Sequence, residues 1–518
     1  MSVALSEHLP LLASAPNGIQ KLRGLILELA VRGKLVPQDP ADEPANELLS
    51  RVADRKAQLE IATGSKKLAA VPKIKASECP FEVPKGWQWS RLADLTQVLN
   101  GRAYSKSELL DAGTPVLRVG NLFTSDHWYY SDLTLQDEKY CDAGDLIFSW
   151  SASFGPFIWK GPKVIYHYHI WKLSLFCDDG FFKDFLYKFL LEKTTEIKAA
   201  GHGVSMVHMT KEKMEKLPVP VPPLAEQHRI VEKVDELMAL CDRLETEQSD
   251  AESAHFQLVE ALLGTLTQSS GAADLASNWQ RIAEQFDLLF TTEGSVDTLK
   301  KAILQMAVTG RLVPHDPSEP PVSGKLGDFV EFLNGYAFKS EWFCSTGIRL
   351  LRNVNVSHGA VDWKDAAYIP AERSEEFVRF SLKPGDLVLS LDRPIINTGL
   401  KIARITESDL PCLLLQRVAK IIPLHGALTC DYLFIWFNSR QFVDSIDPGR
   451  SNGVPHISTK QTGELSFDRP SLAEQHRIVA RVDELMALCD RMKADLRETR
   501  GKLSRLAETL IDVALEIA

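Results

Sequence analysis

The stretch LAEQHRIVEKVDELMALCDRL, Leu224 to Leu244, returns as LAEQHRIVARVDELMALCDRM from Leu472 to Met492, identical at 18 of 21 positions. A second pair lies at a different offset: IQKLRGLILELAVRGKLVPQDP (Ile19 to Pro40) matches VDTLKKAILQMAVTGRLVPHDP (Val296 to Pro317) at 11 of 22 positions. With the first repeat named a and the second b, the chain reads b, arm, a, b, arm, a. A duplication of this period fixes the architecture before any local reading does. The arms, residues 41–223 (183 residues) and 318–471 (154 residues), resemble each other only faintly. A retained scaffold with divergent arms is expected when the repeats hold one partner geometry and each arm reads its own target.

The faint likeness is still informative. LNGRAYSKSE (Leu99 to Glu108) matches LNGYAFKSE (Leu333 to Glu341), LRVGNL (117–122) matches LRNVNV (351–356), and AGDLIFSW (143–150) matches PGDLVLSL (384–391). Short apolar or alternating runs broken by Gly, Asp and Pro read as strands of an α/β domain, so both arms are expected to share one fold.

The duplicated PLAEQHRIV-x-x-VDELMALCDR segment, with LKKAILQMAVTGRLVP between its copies, resembles the specificity subunit of type I restriction-modification enzymes over nearly the whole chain. The resemblance implies an α+β chain: two α/β target-recognition domains separated by repeated long helices that form an antiparallel coiled coil, pseudo-two-fold symmetric. The expected segments are a leader and half-repeat helix (1–45), a linker (46–80), the first recognition domain (81–221), a central helical region (222–322), the second recognition domain (323–469) and a C-terminal repeated helix (470–518). It further implies double-stranded DNA, two methyltransferase subunits and restriction/translocase subunits as partners. S-adenosylmethionine, ATP and Mg would then sit on those partners, with no cofactor in this chain.

Composition tempers that picture. Lys plus Arg is 59 against 69 Asp plus Glu, a net charge of −10, whereas an isolated DNA-binding domain usually carries a basic surplus. Much of the acidity lies in helical stretches such as Glu245 to Glu252 and Glu484 to Glu498, and a chain held on DNA by partners needs less phosphate neutralisation of its own. The acidic balance favours one rival, a repeat-built protein-protein scaffold without DNA binding. The eight cysteines (79, 141, 177, 241, 344, 412, 430, 489) form no C-x-x-C pair and read as core thiols of a reducing cytosol. Neither a basic signal-peptide start nor an apolar run long enough for a membrane span is found, so a cytoplasmic protein is expected.

Periodicity places the helices. Ile19, Leu22, Ile26 and Leu29 step by three and four, with Gly33 as the expected C-terminal cap; Val296, Leu299, Ile303 and Met306 repeat the face before Gly310. From Ile478 the C-terminal a copy alternates by four and three through Val482, Leu485, Cys489, Met492, Leu496, Thr499, Leu503, Leu506, Leu510, Val513 and Ile517, a coiled-coil seam. The central copy keeps that phase to Leu244 and resumes on another at Phe256, Val259, Leu263 and Leu266, predicting a stutter or a break near 245–255. The first b lacks a preceding a unless the C-terminal one supplies it.

No methyltransferase tetrapeptide, P-loop or metal-ligand spacing occurs. What remains is a set of polar, basic and aromatic residues at the arms' strand ends and loops: Arg102, Tyr104, Lys106, Arg118, Asn121, His202, His208 and Lys211 in the first arm. The second offers Tyr336, Lys339, Arg352, Asn353, Asn355, Arg393, Arg450, Asn452, His456 and Lys460. Arg and Asn can read guanine and adenine bidentately, and Lys can position on phosphate. Gln227, Arg229, Gln475 and Arg477, duplicated in the a repeat, are the expected partner-docking residues. No catalytic or metal residue is expected.

Overall fold

The computed structural model describes residues 12–63, 71–151, 154–177, 181–200, 209–424, 426–446 and 456–517. The chain divides into two units, Met1–Asp250 with Arg500–Ala518, and Ala251–Thr499.

In the first unit, helix Gly18–Val31 buries Leu22, Leu25, Ile26 and Leu29 on one face. It closes as its sequence predicts: Gly33 has φ +68°, Lys34 N–H donates to Leu29 O at 2.9 Å and Gly33 N–H to Ala30 O at 3.3 Å, a Schellman ending. The same core takes Ile230, Val234, Leu237 and Cys241 from the long helix Leu224–Thr267, and Ala507 from the long helix Leu472–Ile517. Arg23 bridges Asp242 and Glu245 at 2.7 and 2.8 Å, and Lys21 holds Glu508 at 2.7 Å.

The first arm carries two four-stranded sheets. One runs Thr96–Asn100, Ile170–Leu175, Leu146–Ser149, Gly155–Ile158, antiparallel throughout. The other runs Tyr129–Ser131, Thr114–Leu117, Val164–Tyr166, Tyr140–Cys141, with a parallel pair at its centre. Helix Phe181–Ala200 sends Phe182, Leu186, Phe189 and Leu190 against Leu146, Phe148 and Trp171 of the first sheet. Within the segment expected as a linker, helix Ala45–Thr63 buries Ala45, Leu48 and Val52 in that same core. Further along it Glu78 pairs with Arg91, itself 4% exposed, at 2.8 Å. These parts of 46–80 are packed onto the arm.

In the second unit, helix Glu293–Val308 buries Val296, Leu299, Ile303 and Met306 and ends at Gly310, φ +69°. Its core includes Val259, Leu263 and Leu266 from one long helix and Ile478, Val482 and Cys489 from the other. Glu293 pairs with Arg497 at 2.6 Å, Asp297 with Lys493 at 2.8 Å and Lys300 with Asp490; partner numbers fall as helix numbers rise, so these two helices run antiparallel. The arm repeats the first with one strand fewer in its second sheet, whose fourth strand is reduced to a Ser381–Leu413 bridge. One sheet is Val330–Asn334, Val418–Pro423, Leu387–Ser390, Ile402–Arg404, and the other is Ala367–Ile369, Ile348–Leu351, Cys412–Leu414 with the parallel pair kept. One fold, used twice, is what the paired sequence motifs predict.

The repeat also closes as the b, arm, a order requires. Val259 and Leu263 lie in the core of the second unit, and 248 positions on, Ala507 and Ile511 take the same part in the first. The helical seam needs one correction. Ile478, Val482 and Cys489 are buried as expected, yet Leu506 and Val513 are 46% and 41% exposed while Ala507 is fully buried. A straight α-helix drifts about 20° per heptad against a 3.5-residue repeat, so the inward face has moved on by one residue. In the central copy the helix is unbroken from Leu224 to Thr267, making the irregularity near 245–255 a stutter. Phe256 there is 49% exposed while Val259 is buried.

Candidate nucleic-acid interface

Each arm's Leu-Asn-Gly turn lies hard against the loop joining its central strands. A Cβ on Gly101 would stand 2.2 Å from His167 O, and one on Gly335 2.3 Å from Leu415 O, so only glycine allows the approach. Parallel bridges Arg102 to His167 and Tyr336 to Leu415 hold the two backbones together. The loop tips His167–His169 and Leu415–Arg417 are thereby fixed. Beside them stands the turn after the first strand of the parallel pair, locked in both arms by an asparagine: Asn121 Oδ1 accepts from Arg118 N–H at 3.1 Å, and Asn355 Oδ1 from Arg352 N–H at 3.2 Å.

Between tip and turn each arm opens a cleft. The first, about 390 Å³, is lined by Arg118, Asn121, His127, Tyr129, His167 and His169 among others. The Arg118 guanidinium lies 5.1 Å from the Tyr129 ring centre, and His127 meets the same ring edge-on at 4.6 Å. Burial, helped by neighbouring His169 and Arg118, pushes the His167 imidazole down to about 4. It is neutral at pH 7, able to offer one donor and one acceptor. This cleft is polar and aromatic.

The second cleft, about 900 Å³, is cationic: Asn353, Asp392, Arg393, Lys401, Arg417 and His456 are among its residues. Asp392 organises it, Oδ2 accepting from Arg417 Nη1 at 2.8 Å and Oδ1 lying 2.8 Å from His456 Nδ1. Arg393 and Arg417 both adopt positive φ, 46° and 71°, and such costly backbone persists where the surroundings over-determine it, often at functional sites. Lys401 is 8% exposed, and burial lowers the pKa of its ammonium.

Of the residues expected on sequence grounds, Arg118, Asn121, Asn353, Arg393 and His456 meet in these clefts. Several others are spent internally and are corrected accordingly. Arg102 pairs with Glu108 at 2.6 Å, and Arg352 with Asp365 at 2.9 Å. Asn355 is 1% exposed, its amide donating to Asp362 O and Asp365 O. Tyr336 packs on Phe338 and Phe377 while staying 36% exposed, and Tyr104 lies 5.3 Å from the Arg102 guanidinium with its hydroxyl unpaired among the described residues; both stand outside the two clefts. Lys106, Lys339 and Lys460 are exposed away from the clefts, and Lys211 lines a separate hollow with Lys139. His202, His208, Arg450 and Asn452 lie outside the described residues. Asp392, Lys401 and Arg417 were missed; their only sequence signal is the Asp-Arg pair that follows PGDLVLSL.

In the a-repeat docking set the two glutamines are corrected. Gln227 and Gln475 are fully buried; Gln227 donates to Pro222 O, and Gln475 to Ala427 O and Pro470 O while accepting from Thr429 N–H. They tie each helix start to its arm. Arg229 pairs with Asp42 at 2.6 Å, and Arg477 donates to Pro314 O at 3.4 Å. Among the described residues no group of His, Cys, Asp and Glu could hold a metal ion, and no helix is long and apolar enough to cross a membrane.

The family model for a type I restriction modification DNA specificity domain matches residues 84–252. The chain is similar to the type I restriction enzyme EcoAI specificity subunit of Escherichia coli, 40% identical over 96% of this chain and 94% of that protein. It is 28% identical to the EcoEI specificity subunit of Escherichia coli at the same coverage, 96% and 94%. A solved structure concerned with complex assembly and conformational transition of the type I R-M system overlaps 84% of this chain and 98% of that one, at 17% identity and a TM-score of 0.49.

Proposed function

We infer, from the premise that this chain belongs to the type I restriction-modification specificity-subunit family, that each arm reads one half of a bipartite, asymmetric DNA site through its cleft. The chain is the non-catalytic DNA-recognition subunit of its complex. The observation that carries the half-site reading is the pair of clefts: they occupy equivalent framework positions yet present different chemistry, polar and aromatic in one arm, cationic in the other. Direct readout needs this arrangement, a rigid backbone placing interchangeable donors and acceptors against base edges.

The partners on this reading are two methyltransferase subunits, docked on surfaces that the a and b repeats present twice, and restriction/translocase subunits. S-adenosylmethionine, ATP and Mg belong to those partners, as do adenine methylation and ATP-dependent cleavage; base flipping falls to the methyltransferase. The place of action is the cytoplasm. With the scaffold glutamines buried, docking falls to exposed faces of the repeats.

Exchanging residues 81–221 for another family member's first arm, in the assembled methyltransferase, tests the reading by mapping methylated adenines. One half-site should change and the other stay. Change in both halves, or in neither, rejects independent reading by the arms. Salt-dependent retention of the complex on DNA excludes the bare scaffold alternative.

A further inference from the structure

The second cleft holds more donors than its own acceptors can use. Asp392 is engaged by Arg417 Nη1 and by His456 through separate oxygens, which leaves the other N–H groups of the cleft-lining Arg417 guanidinium without a partner among the described residues. Arg393 stands exposed beside it. Lys401 is more than nine-tenths buried, lines the cleft, and its ammonium makes no hydrogen bond or ion pair among the described residues. The ammonium lies within electrostatic reach of Asp392 but has no hydrogen-bond acceptor of its own, so its place at the cleft wall favours a ligand that brings acceptors. Among the described residues of the first arm, His169 stands at the position of Arg417, with neutral His167 two residues before it.

Among the four bases, only guanine presents two adjacent acceptors and no donor in the major groove, at N7 and O6. Adenine and cytosine each expose an amino donor, and thymine pairs one acceptor with a methyl group. The Arg417 and Lys401 end of the cleft offers donors only, so it repels an exposed amino group and leaves donors unmet on thymine, while Asn353 and Ser357 hold the cleft's remaining acceptors. We propose that the second arm reads the major-groove edge of a guanine with Arg417 and Lys401 as donors, Asp392 being the positioning residue that holds Arg417; this deepens and rests on the reading of the arms as half-site readers.

The test uses the full complex with its methyltransferase subunits. Exchange of residues 323–469 first identifies the second arm's half-site by methylated-adenine mapping. Duplexes in which each guanine of that half is replaced singly by 7-deazaguanine, which lacks the N7 acceptor, are then titrated. One replacement should weaken binding by about five- to a hundredfold, the discrimination of a good bidentate pair. Lys401→Met, which keeps the buried stem, should lose most of that sensitivity and relax methylation at the same position only. Asp392→Asn should do so partially, by releasing Arg417. A half-site without a G·C pair, or a flat 7-deazaguanine series with the wild-type complex, overturns the proposal even if a variant fails to fold. So does a Lys401→Met complex that binds every duplex more weakly to the same extent with a shallower salt dependence, which marks a phosphate contact. If the arm exchange itself alters neither half-site, the half-site reading has failed; if it succeeds and the guanine series is flat, only the guanine assignment has.

Discussion

Glu108 shows how a charged residue in an arm can be used up before any ligand arrives. Its carboxyl is held down at about 2, first by the hydrogen bond from Arg102 and then by the backbone N–H of Ser105. A carboxylate depressed in the folded state contributes stability above its unfolded value of about 4.5 and loses it as pH falls toward the folded one. Glu108→Gln should therefore lower the first arm's urea midpoint at pH 7, with the gap to wild type closing between about pH 4.5 and pH 2. Buried Glu226 works differently, accepting from Trp87 Nε1 at 2.9 Å and Gln38 Nε2 at 2.6 Å; in the second unit His315 Nδ1 lies 3.0 Å from Glu474. Glu226→Ala leaves two donors unmet and should cost about 1–3 kcal/mol, read by chemical denaturation. Such roles were illegible in the sequence. Arg102, Arg352 and Asn355 look as available as Arg417 when written as letters, and Gln227 and Gln475, duplicated and polar, look like docking residues. Whether a polar group faces a ligand or a neighbouring carbonyl is decided by partners from 5 to 48 positions away, as with Pro222 for Gln227 and Ala427 for Gln475.

The elements themselves were far more legible. Periodicity located the b helices, glycine marked their ends, and paired motifs announced a common arm, because amphipathic faces and caps are local properties of the chain. The phase of the late C-terminal seam was not. Leucines recur on the 3.5-residue pattern at 503, 506 and 510, but the helix turns a small residue inward, and Ala507 packs in the core with Leu22, Leu25 and Ile26. Leu506→Ala should change stability by less than about 0.5 kcal/mol, as for exposed sites generally. Ala507→Leu, adding bulk where exposure is zero, should cost about 1–3 kcal/mol. Thermal melts of the two variants distinguish the phases, and the opposite ranking would restore the uninterrupted seam.

At the scale of the whole molecule, each unit draws on both long helices: residues 224–250 of one and 500–517 of the other serve the first, and the remainder serve the second. Removing residues 500–518 should strip Ala507 and Glu508 from the first unit and raise amide exchange in helix Gly18–Val31, while helix Glu293–Val308 stays protected. Deleting residues 251–498 instead, 248 in all, leaves 518 − 248 = 270 residues with Asp250 joined to Thr499. That shortened chain keeps Arg23 with Asp242, Lys21 with Glu508 and the buried Ala507. It should fold, with helix Gly18–Val31 protected from exchange as in the full chain. The 18 shared positions of the a repeat give this deletion a meaning in heredity. Two gene copies misaligned by one repeat and recombined within it would drop 248 codons in frame, residues 245–492 for an exchange at the repeat's end, with the long helix carried across the join, so a single genetic accident converts a reader of two words into a reader of one.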